Sequence, residues 1–382
     1  MTDSPPGAQA YRIKYRSTSG KGQANEVTGV VIIPLAPAPP QGRPVVAWAH
    51  GTFGVAENCA PSTNPLLFTT IAGLSPMIAR GYAVVATDYA GLGSPGPHPY
   101  LIGADSAYAV LDSVRAAREL PQAAIGNRFA VWGESQGGHA ALWTGQYARR
   151  YAPELELLGV VAAAPPTDLK ANLTRSSNPA IRALLTAYTG ASWSQLYDIS
   201  LASILNPVGQ DMVTRLARNC VSTEPVALRT KIGLLRLTRA MTNVDISQSK
   251  PWANLLRANS VPLSGFDVPI LIAQGSVDPI VAPAVTRNFT RQLCQQKLVR
   301  VRYLGITDGD HFSIGQRSAD ASVQWINNRF ASVPARNDCA LILNPDTLKR
   351  NKIINQAMAR STIDCASFKM RFRCSVPAKL SA

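Results

Sequence analysis

The chain is 382 residues long, 46% hydrophobic and only 16% charged, with a formal net charge of +15. That is ample for a large buried core, and no apolar run reaches the roughly 18–20 residues of a membrane span. The positive charge comes without the fold motif or interleaved aromatics of a nucleic-acid protein, so no nucleic-acid partner is expected.

The first residues, MTDSPPGAQAYRIKYRS, carry no apolar h-region of the signal-peptide kind. Residues 26–33 (EVTGVVII), 44–49 (PVVAWA) and 81–87 (GYAVVAT) read as short buried strands bounded by Gly and Pro. Residues 103–119 have helical spacing, with Ala107, Val110, Val114 and Ala117 on one side and Pro121 beyond the stop. The strand RFAVW, a helix from about Gly137 to Ala148 and the apolar strand LLGVVAAAP follow. Strands apolar throughout and alternating with helices indicate an α/β fold: a mostly parallel sheet covered on both faces.

The rhythm breaks between Thr167 and Phe266, where AIRALLTAYTG, WSQLYDISLASIL, DMVTRLARN and ALRTKIGLLRLTRAM read as helices. It resumes with VPILIAQ, a helix over VTRNFTRQLCQQ, the strand LVRVRYL and the helix ADASVQWINNRFA. The expected organisation is a sheet core over 1–166 and 267–332, a helical cap over 167–266 inserted between its halves, and a basic, cysteine-containing tail over 333–382. The apolar stretches IRALLTAY and LASIL could line an acyl tunnel or pack as ordinary cap core.

Six cysteines (Cys59, Cys220, Cys294, Cys339, Cys365, Cys374) are widely spaced with no CxxC pair. Zinc and redox motifs are therefore not expected. Disulfides in an oxidising compartment are, with fifteen connectivities open.

The chemistry-bearing stretch is Gly133-Glu134-Ser135-Gln136-Gly137, a G-x-S-x-G pattern with a strand before it and a helix after. Such a turn exposes a nucleophilic serine and sets helix N–H groups beside the oxygen that becomes negative. The serine needs a base, and the base an orienting acid. Of four histidines, His311 in the loop after VRVRYL is the candidate base; His139 sits one turn along the serine's own helix and reads as packing. Asp278, where ILIAQ runs into a turn, is the candidate acid, while Asp308 and Asp310 are too close in sequence to hold the His311 ring. The Gln136 N–H is one oxyanion donor. The other belongs to an early loop, either the His50-Gly51 turn or the strand end at Asp88. No metal-ligand cluster is visible, so no cofactor is expected.

The order Ser135, Asp278, His311 is that of the α/β-hydrolase fold. Together with ENCAPS, ARGYAVVATDYAGLG, GESQGGHAALW followed by YAPEL, LASIL, QGSVDPIV and DGDHFS, it makes roughly residues 11–332 resemble the secretory lipase family of lipase A type. The resemblance implies an α/β-hydrolase with a helical cap between strands six and seven, acting on carboxylic esters and triacylglycerols. It puts Ser135, Asp278 and His311 at the triad positions and Asp88 beside the Gln136 amide in the oxyanion hole. It also implies disulfides Cys59–Cys220 and Cys294–Cys339, leaving Cys365 and Cys374 to each other. The function expected is a secreted or periplasmic ester hydrolase, in transient contact with lipid interfaces when its substrate is a lipid. The alternatives are an acyltransferase or peptidase using the same residues, and a binding protein with a dead site.

Overall fold

The structure, a computed structural model, describes residues 1, 4–176, 178–221, 228–241, 243–297 and 299–344. Its centre is an eight-stranded sheet of β1 (Ala8–Thr18), β2 (Ala24–Pro34), β3 (Arg43–Ala49), β4 (Ala83–Thr87), β5 (Ile125–Glu134), β6 (Glu156–Ala163), β7 (Ile270–Gly275) and β8 (Val301–Ile306). The spatial order is β1-β2-β4-β3-β5-β6-β7-β8. β1 and β2 run antiparallel to their neighbours at one edge, and β4 through β8 are parallel.

β1 was not expected from the sequence. It is an edge strand that alternates Arg12, Lys14 and Arg16 with Ile13, Tyr15 and Ser17. Tyr15 and Ser17 are buried and reach α3 (below) through Ala109 and Asp112. One wet face replaces the continuous apolar run of the inner strands.

Helices α1 (Leu67–Thr70) and α2 (Leu74–Ala79) precede β4; α3 (Gly103–Arg118) and α4 (Gln136–Tyr151) flank β5. α3 and α4 pack together on one face. In β3, Val46 and Trp48 point to the opposite face, where they join Val84, Trp132, Val161 and Leu271 in one core cluster. The ring edge of Trp48 meets Trp132 at 5.3 Å there.

Between β6 and β7 the described residues form helices and no strand: α5 (Leu169–Arg175), α6 (Pro179–Leu196), α7 (Pro207–Ala217), α8 (Leu228–Ala240) and α9 (Trp252–Asn259). Two of them start at an Asn-Pro step. Asn178 caps the Ala180 and Ile181 N–H groups and Asn206 that of Gly209, with Pro at the first helical position each time. WSQLYDISLASIL is not a helix of its own. α6 runs through Leu196, Asp198 turns with φ +53°, and Ser200 caps a single 3-10 turn at Leu201–Ser203. α5 and α9 went unread because each is only seven or eight residues long.

After β7, α10 (Pro283–Gln296) leads to β8, and α11 (Ile314–Phe330) packs across β6 and β7 beside α2. Residues 1–339 form one compact unit. Within it the chain after α11 runs back along β8: the Asp338 N–H donates to the Val301 carbonyl, and its carboxylate takes Arg302 at 2.6 Å and Arg336 at 2.8 Å. A second unit spans 340–382, of which only residues 340–344, in and just after α12 (Cys339–Leu343), are described. Disulfides join Cys59 to Cys220 and Cys294 to Cys339. Cys365 and Cys374 lie outside the described residues.

Candidate active site

Ser135 is the hinge between β5 and α4, with φ +57° and ψ −119°, a conformation that L-residues adopt only under constraint. The constraint is the close approach of backbones on both sides. A Cβ on Gly133 would overlap the Gly137 carbonyl, and one on Gly137 would overlap the Ala49 carbonyl at the end of β3. The Ser135 N–H donates to the Ala163 carbonyl of β6 at 2.8 Å, which pins the turn to the sheet.

Three sequence-selected side chains converge there. The His311 Nε2 lies 2.8 Å from Ser135 Oγ, and its Nδ1 lies 2.8 Å from Asp278 Oδ2. With the proton on Nδ1, the ring donates to Asp278 and accepts from the serine hydroxyl, which satisfies both contacts. Asp278 is itself fixed: Oδ1 accepts the Ile280 and Val281 N–H groups at 2.8 Å, and Oδ2 accepts Gln274 Nε2 at 3.1 Å. All three follow strand ends, β5, β7 and β8, at the carboxyl edge of the sheet. Asp308 and Asp310 order the loop instead. Asp310 accepts the Ser313 N–H at 2.8 Å, which with the Ser313 hydroxyl holds its carboxyl below the usual range, and the Asp308 carbonyl receives Arg317.

Gln136 begins α4, so its N–H has no acceptor within the helix. Its side chain donates to His98 Nε2 at 3.0 Å, while His98 Nδ1 donates to the Ala90 carbonyl. This contact spans 38 residues and had no signal in the sequence. Asp88 is fully engaged elsewhere. Its carboxylate accepts the Thr28 hydroxyl at 2.7 Å and the Ser62 N–H at 2.8 Å, and its own N–H donates to the Thr28 carbonyl. These contacts make Asp88 a brace between the loops around the serine, and burial pushes its pKa up. The His50-Gly51 turn lies beside the serine, with a Cβ on Gly51 falling 3.8 Å from Ser135 Cβ. Beside it the Thr52 hydroxyl meets the Tyr100 hydroxyl at 3.0 Å.

A narrow, mostly apolar cavity opens on Ser135 and Gln136. Its walls are Tyr100 and Leu101, Leu169 and Leu173 from the start of the helical block, Leu185 and Thr189 of α6, Leu256 of α9, and Ile280 with Val281. The two apolar stretches flagged in the sequence thus divide. IRALLTAY lines the cavity with Leu185 and turns Ala183 and Ala187 into the packing among the helices, whereas Leu201 and Ile204 of LASIL only pack there.

His139 is buried in the fold, its Nε2 2.7 Å from the Asn259 carbonyl at the end of α9. Burial lowers its pKa to about 4 and that of His98 to about 3. Both folded values lie below the ordinary histidine value. Their stabilisation is therefore complete above about pH 6.5 and is lost as the pH falls toward 4, where the unfolded chain takes up protons that the fold refuses. Buried carboxyls such as Asp88 act in the opposite sense, so the histidine contribution is read as a difference. The stability advantage of wild type over His139→Gln, measured by urea unfolding, should shrink by roughly 2–3 kcal/mol between pH 7 and pH 4.5.

This sheet, with its strained serine after β5 and its histidine after β8, defines an α/β-hydrolase. The sequence profile of the secretory lipase family matches residues 67–338, and the chain belongs to that family. It is accordingly a carboxylic ester hydrolase, and a secretory family with disulfides fits an extracellular protein. Lipase 9 of Candida albicans is 23% identical over 357 residues, 86% of this chain and 75% of that protein. A Mycobacterium tuberculosis protein named as a probable inactive lipase is 25% identical over 378 residues, 90% of this chain and 79% of the relative. Among solved structures, Candida antarctica lipase A in its closed state aligns with TM-score 0.70 at 20% identity, over 86% of this chain and 79% of that one. The rice cell wall degrading esterase LipA from Xanthomonas oryzae aligns with TM-score 0.64 at 20% identity, over 85% of this chain and 90% of that one.

Proposed function

We propose that this protein is a secreted or periplasmic serine esterase or lipase that hydrolyses acyl esters, triacylglycerols among them, through an acyl-enzyme. The observation that carries the reading is the unbroken chain Ser135–His311–Asp278, with 2.8 Å at each link and Ser135 lining an apolar cavity. Ser135 Oγ attacks the acyl carbonyl as His311 Nε2 takes its proton, and Asp278 holds the ring in the productive tautomer. The proton then passes to the departing alcohol, and water repeats the sequence on the acyl-enzyme. The oxyanion is received by the Gln136 N–H and by a donor from the Gly51–Thr52 loop, with Asp88 bracing that region. The helical block over 167–266 serves as the cap that supplies the acyl pocket.

A fluorophosphonate probe tests the nucleophile. It should label Ser135 stoichiometrically and end ester hydrolysis, with Ser135→Ala carrying no label; an unlabelled wild type would revive the dead-site reading and align the protein with its inactive relative. Acyl length is a separate question. Each methylene buried in the cavity contributes about 0.8 kcal/mol, or about fourfold in kcat/KM, until the space is filled. A p-nitrophenyl ester series should rise past acetyl before it levels. A sharp optimum at acetyl would leave an esterase and remove the lipase assignment.

A further inference from the structure

The turn after β3 and the loop after β4 meet near Ser135 through a pair of hydroxyls that the Ser–His–Asp chain does not use. Gly51 packs on the serine's own turn, where a Cβ would lie 3.4 Å from the Glu134 carbonyl and 3.8 Å from Ser135 Cβ. Burial keeps His50 neutral, with one ring proton, and the closer of its two carbonyl contacts is Nδ1 on Gly51 at 2.5 Å. The peptide is planar, so fixing the Gly51 carbonyl also fixes the Thr52 N–H, which points the opposite way. That N–H has no acceptor among the described residues. Thr52 Oγ1 lies 3.0 Å from the Tyr100 hydroxyl. Two hydroxyls that share one hydrogen bond leave one proton over. The phenol is the stronger acid and the better donor, so Tyr100 donates and the spare proton belongs to Thr52.

Tyr100 is itself held by α6. Its N–H donates to Ser192 Oγ at 3.0 Å, and its carbonyl accepts Trp193 Nε1 at 2.8 Å. Ser192 Oγ in turn donates to the His98 carbonyl at 2.6 Å, and His98 holds the Gln136 side chain. All four of these loop and helix residues are buried. The loop 98–100 therefore reaches both Gln136 on α4 and Thr52 after β3, with Ser192 clamping it between. Tyr100 also lines the narrow cavity together with Ser135 and Gln136.

We propose that Thr52 is a catalytic residue of this ester-hydrolysis site: its hydroxyl, oriented by Tyr100, donates together with its N–H to the oxyanion that the Gln136 N–H also receives. The inference rests on the function proposed above, and it names the residue and the atoms within the loop assigned there. One threonine supplies two donors, and neither has to break a hydrogen bond to act. The charge they meet develops only as Ser135 Oγ bonds to the acyl carbon, so they stabilise the transition state more than the bound ester. Tyr100 acts through Thr52 and is a positioning residue. Ser192 links its placement to that of His98, and so to the residue that carries the other donor.

The test is Thr52→Val, which removes the hydroxyl and keeps the shape and the N–H. It should lower kcat by about 10²–10³ while KM stays within about twofold of wild type. Thr52→Ser, which restores the hydroxyl, should stay within about tenfold. Tyr100→Phe should lower kcat about three- to tenfold on its own and change nothing in the Thr52→Val background, because its effect passes through the missing hydroxyl. A threonine that merely ties the turn to the loop would shift the melting temperature and leave kcat within about threefold of wild type; that outcome overturns the proposal. Equal losses from Tyr100→Phe in both backgrounds overturn the part given to Tyr100. Should Thr52→Val fail to fold, the wild-type protein labelled with the fluorophosphonate gives the reading in a crystal structure. The phosphonyl oxygen within about 3.2 Å of Thr52 Oγ1 supports the proposal, and an oxygen beyond hydrogen-bond distance overturns it. An unlabelled Ser135 overturns the hydrolase reading, whereas a labelled Ser135 whose oxygen avoids the Thr52 hydroxyl overturns this inference alone.

Discussion

Asp278→Asn is expected to lower kcat by about 10⁴ while the fold survives. The reason lies in which atoms of Asp278 do what. Oδ1 accepts two backbone N–H groups, from Ile280 and Val281, so the amide oxygen of an asparagine must stay there. Its NH₂ then faces the His311 Nδ1, which can no longer donate and must itself accept. The ring shifts to the tautomer with its proton on Nε2, pointing at Ser135 Oγ, and loses the lone pair that would take the serine proton. Structural damage is confined to Gln274. Turning its amide over lets the buried, unpartnered Oε1 accept from the new NH₂, at the expense of the two 3.3 Å contacts that Nε2 now donates to the Gly275 and Val281 carbonyls. A stability loss of about 1 kcal/mol is the scale for such an exchange. Steady-state kinetics beside urea unfolding check both halves. A kcat within tenfold of wild type in the folded variant would remove Asp278 from the mechanism.

The parts of the site that were legible in the sequence are those fixed by local backbone chemistry. The G-x-S-x-G stretch announces a turn in which only glycine fits at two positions, and the apolar run before Asp278 marks a buried parallel strand. That logic fails where the deciding partner is remote. Thr28 and Ser62 hold the Asp88 carboxyl through contacts 60 and 26 residues away. The orienting of Gln136 by His98 depends on the packing of elements far apart in the chain. In the fold, the same division explains β1: its basic alternation reads as a charged N-terminus until β2 supplies eleven paired residues. The short α5 and α9 carry too few turns for periodicity to register.

The largest stability effect outside the Ser135–His311–Asp278 chain is expected from the Cys59–Cys220 disulfide. It closes a sequence separation of 161 residues, against 45 for Cys294–Cys339. In the chain-entropy account that corresponds to about 5 and about 4 kcal/mol, so replacing either pair by serine should destabilise by similar amounts. Their consequences for turnover should differ. Cys220 lies in the helical block between α7 and α8, and Cys59 in the segment after β3 that also supplies Ser62 to Asp88. Without that bond, the contacts left among the described residues include the Val221 N–H donated to the Phe53 carbonyl, worth about 1 kcal/mol, and Val55 packed against the helical block. The tethered stretch joins α7 and α8, which pack on α6, and α6 contributes Leu185 to the cavity wall. Loosening them removes acyl contacts and leaves the Ser135–His311–Asp278 chain on the sheet intact. The Cys59→Ser/Cys220→Ser protein should therefore show a raised KM for long-chain esters, with kcat on acetyl esters nearly unchanged. Cys294→Ser/Cys339→Ser, whose bond ties α10 to the segment along β8, should lose stability with no change in chain-length preference. Equal KM profiles in the two variants would mean that the helical block holds its place over Ser135 without the tether.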